Sequence, residues 1–478
     1  MNEEVIKYIQ NQLVQAQFRL RSYIQDEQEK KYPQRYIYIK IEKYLKDFLS
    51  GAQNHDRWII VPGLRGVGKT TILAQLFLNY QSQVDPKRIL YISLNEIVDV
   101  LGSSLKEVLE IYEKMIGESY EKQAAPLLIF IDEAQYDPKW ASGLKSLYDR
   151  SNKVFVICTG SSAVSLQTNP DVIRRAVYLK LFPTSFCEYL MIKDGIYPVA
   201  GLKKKIKEAL FNAESAADAF DRLKQIEQAI KDFWAKIDRL YINEYLKIGT
   251  LPFAIRMRDE NRIYQTINSL LDKVIDEDVQ SLGKFNRKTI GIIKRILFIM
   301  AEADSISIQK LHSILQTAPN TIMGVLDILE KAELIIRVPP HGSNVSKVRK
   351  PSKYLFMSSA IRSTFLSVAG NEQIFLQQRG RLMEDIAGMT LYREYVSKGL
   401  SSLTYDSSQG AADFILTIAN KQVLPIEIGM GEKEAKQVIG TMKKIKTSKY
   451  GIIIANNDLV LIKSENIIKV PIEYFLLI

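Results

Sequence analysis

The stretch Gly63-Leu-Arg-Gly-Val-Gly68-Lys69-Thr70 has the residue types and spacing needed to wrap a chain of phosphates. Glycines let successive backbone N–H groups curl around the anion, and a helix opening at Thr70 adds its positive end. Lys69 can reach the β- and γ-phosphates, and the Thr70 hydroxyl is a ligand for Mg²⁺. The loop as a whole, Gly63, Arg65, Gly66, Val67, Gly68, Lys69, Thr70 and Thr71, is the candidate nucleotide-binding set. Further on, the apolar run Leu127-Leu-Ile-Phe-Ile ends in Asp132-Glu133. An acid at the carboxyl end of a buried strand lies beside the metal, so Asp132 holds Mg²⁺ through water and Glu133 polarises the attacking water.

A second constellation lies near the carboxyl terminus. Glu384 falls in a helical pattern, Asp413 in a strand-like run and Glu427 in the next. This order is similar to the PD-(D/E)XK nuclease pattern, in which paired carboxylates hold a Mg²⁺ that activates water. Asp413 and Glu427 are therefore candidate metal ligands. The pattern's lysine is replaced by Gly429, with Lys433 or Lys436, assigned to the following helix, as the candidate substitute. The departure favours a nuclease-like module that binds or assembles over one that cleaves.

Short apolar runs at Trp58–Val61, Ile89–Leu94, Leu127–Ile131, Val154–Cys158 and Val177–Leu181 alternate with helical patterns. Continuous apolar strands separated by helices predict a parallel sheet covered on both faces. The reading is an α/β fold: a P-loop NTPase parallel sheet with a helical lid, a winged helix-turn-helix and a C-terminal α/β nuclease-like domain. Its expected segments are an N-terminal helical stretch (1–57), the sheet domain (58–200), the lid (201–285), the winged helix (286–345) and the nuclease-like domain (346–478). The second helix of the helix-turn-helix, Thr321–Glu330, holds Asp327 and Glu330 and no cation before Lys331. It is a poor groove reader, since base edges and phosphates call for donors. Lys347, Arg349, Lys350 and Lys353 in the wing are better placed for nonspecific phosphate contact.

The chain has 478 residues, 46% hydrophobic and 25% charged, with a formal net charge of +11. Such a composition excludes disorder and a disulfide scaffold. Two cysteines without CxxC spacing and three scattered histidines exclude a zinc or redox centre. No apolar run approaches the ~20 residues of a membrane span, and the acidic start is unlike a signal peptide. A cytoplasmic location and no membrane partner are expected. The basic balance permits a polyanionic partner without proving one.

Four elements, GLRGVGKTT, LLIFIDEAQ, ICTGSS and RRAVYLKLFPTSFCEYL, together resemble the prokaryotic AAA+-like ATPases of the archaeal ATPase/STAND group, many of which carry a C-terminal DUF4143-type domain. Leu181–Tyr189 matches their Leu-x-Pro-x-Ser-Phe-x-Glu-Tyr element, and Gly249-Thr-Leu-Pro252 their Gly-x-Pro element. The resemblance implies ATP and Mg²⁺ as cofactors, slow hydrolysis to ADP, a switching role and a homo-oligomer as the assembly to test. It also implies a γ-phosphate sensor at Ser161 or Thr159, helix capping being the structural alternative. Arg175, rather than Arg174, is the candidate arginine for the γ-phosphate, in cis or from a neighbouring subunit, and Arg256 is a weaker one. DNA is the candidate partner. The rivals are a regulatory scaffold that binds protein and an ATP-gated, metal-dependent endonuclease.

Overall fold

The apolar runs before the glycine loop and the acidic pair are strands, β1 (Trp58–Pro62) and β3 (Leu127–Asp132). With β2 (Ile89–Ser93), β4 (Val154–Gly160) and β5 (Val177–Tyr178) they make an all-parallel sheet in the order β2-β3-β4-β1-β5. The computed structural model describes residues 3–51, 56–161, 172, 174–282, 287–303, 306–343, 350–366, 371–419, 422–456 and 458–478. Lys347 and Arg349 lie outside the described residues. The chain divides into two compact units, Met1–Phe182 and Pro183–Ile478.

In the first unit, β1, β3 and β4 are buried along their whole length, as expected of strands covered on both faces. One cover is the helix Lys69–Tyr80, which starts where Gly68 adopts φ 93°, a left-handed conformation that favours glycine. The N-terminal helix Glu3–Arg21 contributes Val5 and Ile9 to the same core as Trp58, Leu90 and Ile129. It is thus part of the sheet domain's core. The fifth strand is shorter than the apolar run suggests: regular pairing ends at Tyr178, although the N–H groups of Leu179 and Leu181 still donate to Ile60 and Pro62.

The second unit begins with a tightly packed helical region. Ser185 and Glu188 form a reciprocal capping box at the start of the helix Phe186–Asp194. Phe186 stacks on Tyr189 and Trp234. Gly249 is required beside them, because a Cβ there would lie 2.7 Å from both Tyr189 and Tyr245. The two sequence elements that carry the family resemblance in this unit therefore meet in one aromatic cluster. Three helices follow, Arg287–Glu302, Ile308–Leu315 and Pro319–Lys331, and then the antiparallel hairpin β6 (Ile335–Val338) and β7 (Lys353–Phe356).

The long helix Glu372–Glu394 leads into a six-stranded mixed sheet. Strands β8 (Ser402–Thr404), β9 (Phe414–Ile418) and β10 (Gln422–Ile428) run antiparallel. The helix Lys436–Lys444 then crosses to β11 (Gly451–Ala455), which lies parallel to β10. Strands β12 (Val460–Ile462) and β13 (Ile467–Pro471) complete the sheet in the order β12-β13-β11-β10-β9-β8. Strands β8 and β13 carry little signal in the sequence. The first is only three residues long, and the second is a short apolar run closed by a proline.

One ion pair ties these pieces together. Arg362 donates through Nε (2.6 Å) and Nη2 (2.9 Å) to the two oxygens of Asp385 on the long helix, and through Nη1 to the Ala301 carbonyl. Its side chain is 3% exposed and that of Asp385 is not exposed at all. Removing one partner leaves an uncompensated buried charge, so Arg362→Met is expected to destabilise the chain by about 3–5 kcal/mol. Arg362→Met/Asp385→Asn should recover part of that loss. Urea denaturation followed by circular dichroism checks both, and an equal loss in the two variants would show that the unpaired charge is not the cause.

Candidate functional site

At the carboxyl edge of the first sheet, β1, β3 and β4 deliver three loops to one place. Gly66 (φ 82°) and Gly68 (φ 93°) curl the first loop. A third glycine, Gly63, has no room for a side chain, since a Cβ would lie 2.4 Å from the Leu181 carbonyl oxygen. Lys69 is buried, and its ammonium donates to the carbonyls of Gly63 (2.8 Å) and Leu64 (3.1 Å). Arg35 braces the same loop from outside, donating to Val67 O (2.7 Å) and Phe182 O (2.9 Å).

Asp132, at the tip of β3, is the centre of the site. Its Oδ2 accepts from Thr70 Oγ1 at 2.8 Å and from the Tyr91 hydroxyl at 3.1 Å, while Oδ1 accepts from Thr159 Oγ1. The two groups assigned to Mg²⁺, Thr70 and Asp132, thus converge on one point and offer hard oxygen donors. No group of three or more His, Cys, Asp or Glu side chains suited to a metal ion occurs among the described residues. Mg²⁺ is usually held by one or two protein oxygens together with substrate phosphates and water, and Thr70 and Asp132 would supply the protein oxygens.

Glu133 follows in the left-handed region, φ 56°. Its N–H donates to Thr159 Oγ1 (3.1 Å), and its carboxylate lies 3.9 Å from Arg65 and accepts from Gln135 Nε2 (3.3 Å). Of the two sensor candidates, Thr159 bonds both members of the acidic pair. Ser161 is buried one step away, its N–H donating to Gln135 Oε1 at 3.2 Å. Arg175 forms a two-pronged ion pair with Asp149, at 2.9 and 3.1 Å. Tyr91, Arg35 and Gln135 were not singled out from sequence. The signal for Tyr91 is weak: a hydroxyl-bearing side chain flanked by apolar residues in the middle of β2.

The second constellation assembles differently from its reading. Glu384, Asp413 and Glu427 do come together, but Lys353 stands among them. It forms an ion pair with Glu384, lies 3.7 Å from Asp413 Oδ1 and sits 5.0 Å from the Phe414 ring centroid. The expectation that Lys353 contacts phosphate as a wing cation is corrected: it is buried in β7, because alternation along that strand turns Lys353 and Leu355 toward the long helix. Leu355 meets that helix at Gly388, where a Cβ would lie 2.1 Å from its Cδ1. Lys350 remains exposed and donates to Ser407.

Lys433 donates to Glu427 Oε1 at 2.8 Å from the loop before the helix Lys436–Lys444, not from the helix itself. Lys436 is that helix's exposed first residue. Asp413 precedes β9 and accepts from the Ile428 N–H at 2.9 Å. Burial works against the Lys353 ammonium, but Glu384 and then Asp413 outweigh it and raise its pKa above the ordinary lysine value. Burial raises the carboxyl pKa values of Glu384, Asp413 and Glu427, with the lysines opposing it.

Residues 55–190 match the model of an AAA domain, and residues 239–372 match a domain of unknown function (DUF8612). Over 98% of its length the chain is 32% identical to the uncharacterized protein MJ1637 of Methanocaldococcus jannaschii, covering 93% of that protein. The chain belongs to the MJ1637 family. A second M. jannaschii relative, the uncharacterized protein MJ1544, is 22% identical over 84% of the chain and 82% of its own length. Among solved structures, the chain is similar to the Aeropyrum pernix ORC1 protein in complex with DNA, at 13% identity and a TM-score of 0.30 over 72% of this chain and 93% of that one. It is also similar to C. elegans PCH-2, at 15% identity and a TM-score of 0.26 over 40% and 51%. No helix among the described residues is long and apolar enough to cross a membrane.

The division of labour in the site has a direct test. Lys69→Ala should abolish ATP binding, because it removes the phosphate counter-charge. Glu133→Gln should retain binding and lose hydrolysis, because only the water-polarising group is changed. Equilibrium binding of a fluorescent ATP analogue, set beside phosphate release, separates the two. Equal loss of binding in both variants would show that Glu133 has a different role.

Proposed function

We propose that the chain is an ATP-hydrolysing switch that acts with DNA. The observation that carries the ATPase reading is the convergence of Lys69, Thr70, Asp132 and Glu133 on one edge of a parallel sheet, with Thr70 and Asp132 2.8 Å apart. In this reading Lys69 neutralises the phosphates, Thr70 binds Mg²⁺ with Asp132 behind a water, and Glu133 activates the attacking water. Because Arg65 and Gln135 both engage the Glu133 carboxylate, the glutamate must be released from them before it can act. Thr159 is suited to couple the acidic pair to the γ-phosphate, with Ser161 behind it.

The DNA half of the proposal rests on the second unit. Its three short helices followed by the β6–β7 hairpin resemble a winged helix, and its helix, three antiparallel strands, helix and parallel strand resemble a nuclease-like core. The helix Pro319–Lys331 has one basic residue, Lys331, which pairs with Asp327 at 2.8 Å. This favours nonspecific phosphate contact by the connection between β6 and β7, where the sequence has Lys347, Arg349 and Lys350, and binding without cleavage. Duplex DNA should therefore stimulate ATP turnover, and the stimulation should fade steeply as salt is raised. Turnover indifferent to DNA would overturn this half and favour the protein-binding scaffold.

Arg175 is proposed to leave Asp149 and reach a γ-phosphate, its own or a neighbour's. Arg175→Ala should then slow turnover, by ~10³-fold if it acts as arginine fingers do, with ATP affinity little changed. If it acts in trans within a homo-oligomer, mixing with Lys69→Ala protein should restore part of the rate. Unchanged turnover would leave Arg175 as the ion-pair partner of Asp149.

A further inference from the structure

Glu394, the last residue of the long helix, is 8% exposed and gathers four cations. Lys203 donates to its Oε1 at 2.7 Å and Lys207 to its Oε2 at 2.6 Å. Arg393 Nε donates to Oε1 at 3.0 Å, and the Lys398 ammonium stands 3.6 Å from Oε2. In charge, the carboxylate balances one of these groups. The carbonyl end of the helix adds roughly half a negative charge, and Arg393 also donates to Ile478 O at 3.2 Å. The remaining positive charge belongs to the lysines. Lys203 and Lys207, four apart on the helix Leu202–Phe211, present it on one face.

These groups line an open cleft of 650 Å³ within the second unit. Its charged lining is four lysines, Lys203, Lys204, Lys207 and Lys398, against two glutamates, Glu208 and Glu394. Lys204 pairs with Glu208 at 3.8 Å, so the formal excess of two positive charges sits with the lysines around Glu394. Lys203, 32% exposed, feels that excess most: burial and then Arg393 pull its pKa down to about 8, although Glu394 opposes them. Lysines crowded in this way are stabilised by an incoming anion.

We propose that this cleft binds a ligand carrying several phosphate groups, held by Lys203, Lys207 and Lys398 with Lys204 at the rim. Glu394 seats the ammonium groups beneath the ligand. An ammonium is a compact point charge that meets phosphate oxygens from any side, whereas a planar carboxylate is better matched by the arginine fork. The excess of two charges suits a di- or triphosphate better than a singly charged anion. Asn212 and Ser401 add neutral polar groups to the lining, and Leu400, Ile418 and the Tyr395 ring offer an apolar side to an uncharged part of the ligand. A free nucleotide and the backbone of a nucleic acid share this chemistry. The cleft is separate from the phosphate loop and from the connection between β6 and β7, so the inference needs neither half of the proposed function.

The test is isothermal titration calorimetry of full-length Lys69→Ala protein with inorganic tripolyphosphate in the absence of Mg²⁺, which takes the phosphate loop out of the measurement. One ion should bind per chain. Adding Lys204→Gln/Lys398→Gln should weaken it at least about tenfold, since two charges facing the ligand are gone. Both lysines are more than half exposed, at 80% and 57%, so the variant should fold, and its melting temperature checks that it does. Lys224→Gln/Lys231→Gln removes the same charge from the helix Ala216–Trp234 and should leave the affinity unchanged. No binding, or equal weakening by the two pairs, overturns the proposal. Competition separates the sources. Displacement of tripolyphosphate by ATP supports a nucleotide pocket, displacement by a short DNA duplex supports a backbone contact, and displacement by neither overturns the phosphate assignment. Failure here leaves ATP hydrolysis and its stimulation by DNA standing, because neither was assigned to these lysines.

Discussion

A carboxylate taken out of water must be given donors or cations, and both units are organised around that demand. Asp132 is the first case. Its two oxygens collect hydroxyls from the phosphate-loop helix, from β2 and from β4, so that three separate segments are fixed relative to β3 by one side chain. Asp385 is the second case, satisfied by a two-pronged arginine and by the Phe356 N–H. The cluster of Glu384, Asp413 and Glu427 is the third, met by two lysines. Apart from Glu427, which Lys433 meets from six residues away, these acids are met by chain distant in sequence, which makes them anchors of tertiary structure as well as candidate chemistry.

The nucleotide site was legible because its chemistry is local. A glycine loop between a strand and a helix must be contiguous to wrap phosphates, so the sequence shows it whole. The acid at the end of an apolar strand is nearly as plain. Sheet order is another matter. Nothing in the run Val154–Gly160 says that it lies between β1 and β3, yet that position is what puts Thr159 against Asp132 and Glu133. Ser161, two residues on, is of similar chemistry, and only the third dimension separates the two. Arg35 is invisible for the same reason, since it meets the loop from a residue more than thirty positions away.

In the second unit the acids were legible, and so was Lys433 as a lysine for Glu427, whereas Lys353 was not. Glu384, Asp413 and Glu427 occupy the helix, strand and strand that the pattern requires, and the chain brings them together. Lys353 was read by composition, as one more base in a basic stretch. All four residues of Lys353-Tyr-Leu-Phe356 are buried, with apolar side chains on both faces, so the alternation of the strand does not mark which face the lysine takes. Only the packing of Lys353 and Leu355 against the long helix does.

Gly429 shows why a departure from a pattern need not be a loss. Read along the strand, the glycine deletes a cation beside Glu427. In space it makes room for one, because the stem of Lys433 passes through the volume that a side chain at 429 would fill. A lysine fixed on a strand is aimed by that strand, whereas one on a loop ahead of a helix is aimed mainly by what it bonds, here Glu427. Lys353 is likewise borrowed, from a hairpin that belongs to no part of the sheet it neutralises. Such cations depend on the packing of the segments that carry them. Any motion of the β6–β7 hairpin away from the long helix would therefore carry a unit of positive charge out of the acids, and with it the compensation that keeps them buried.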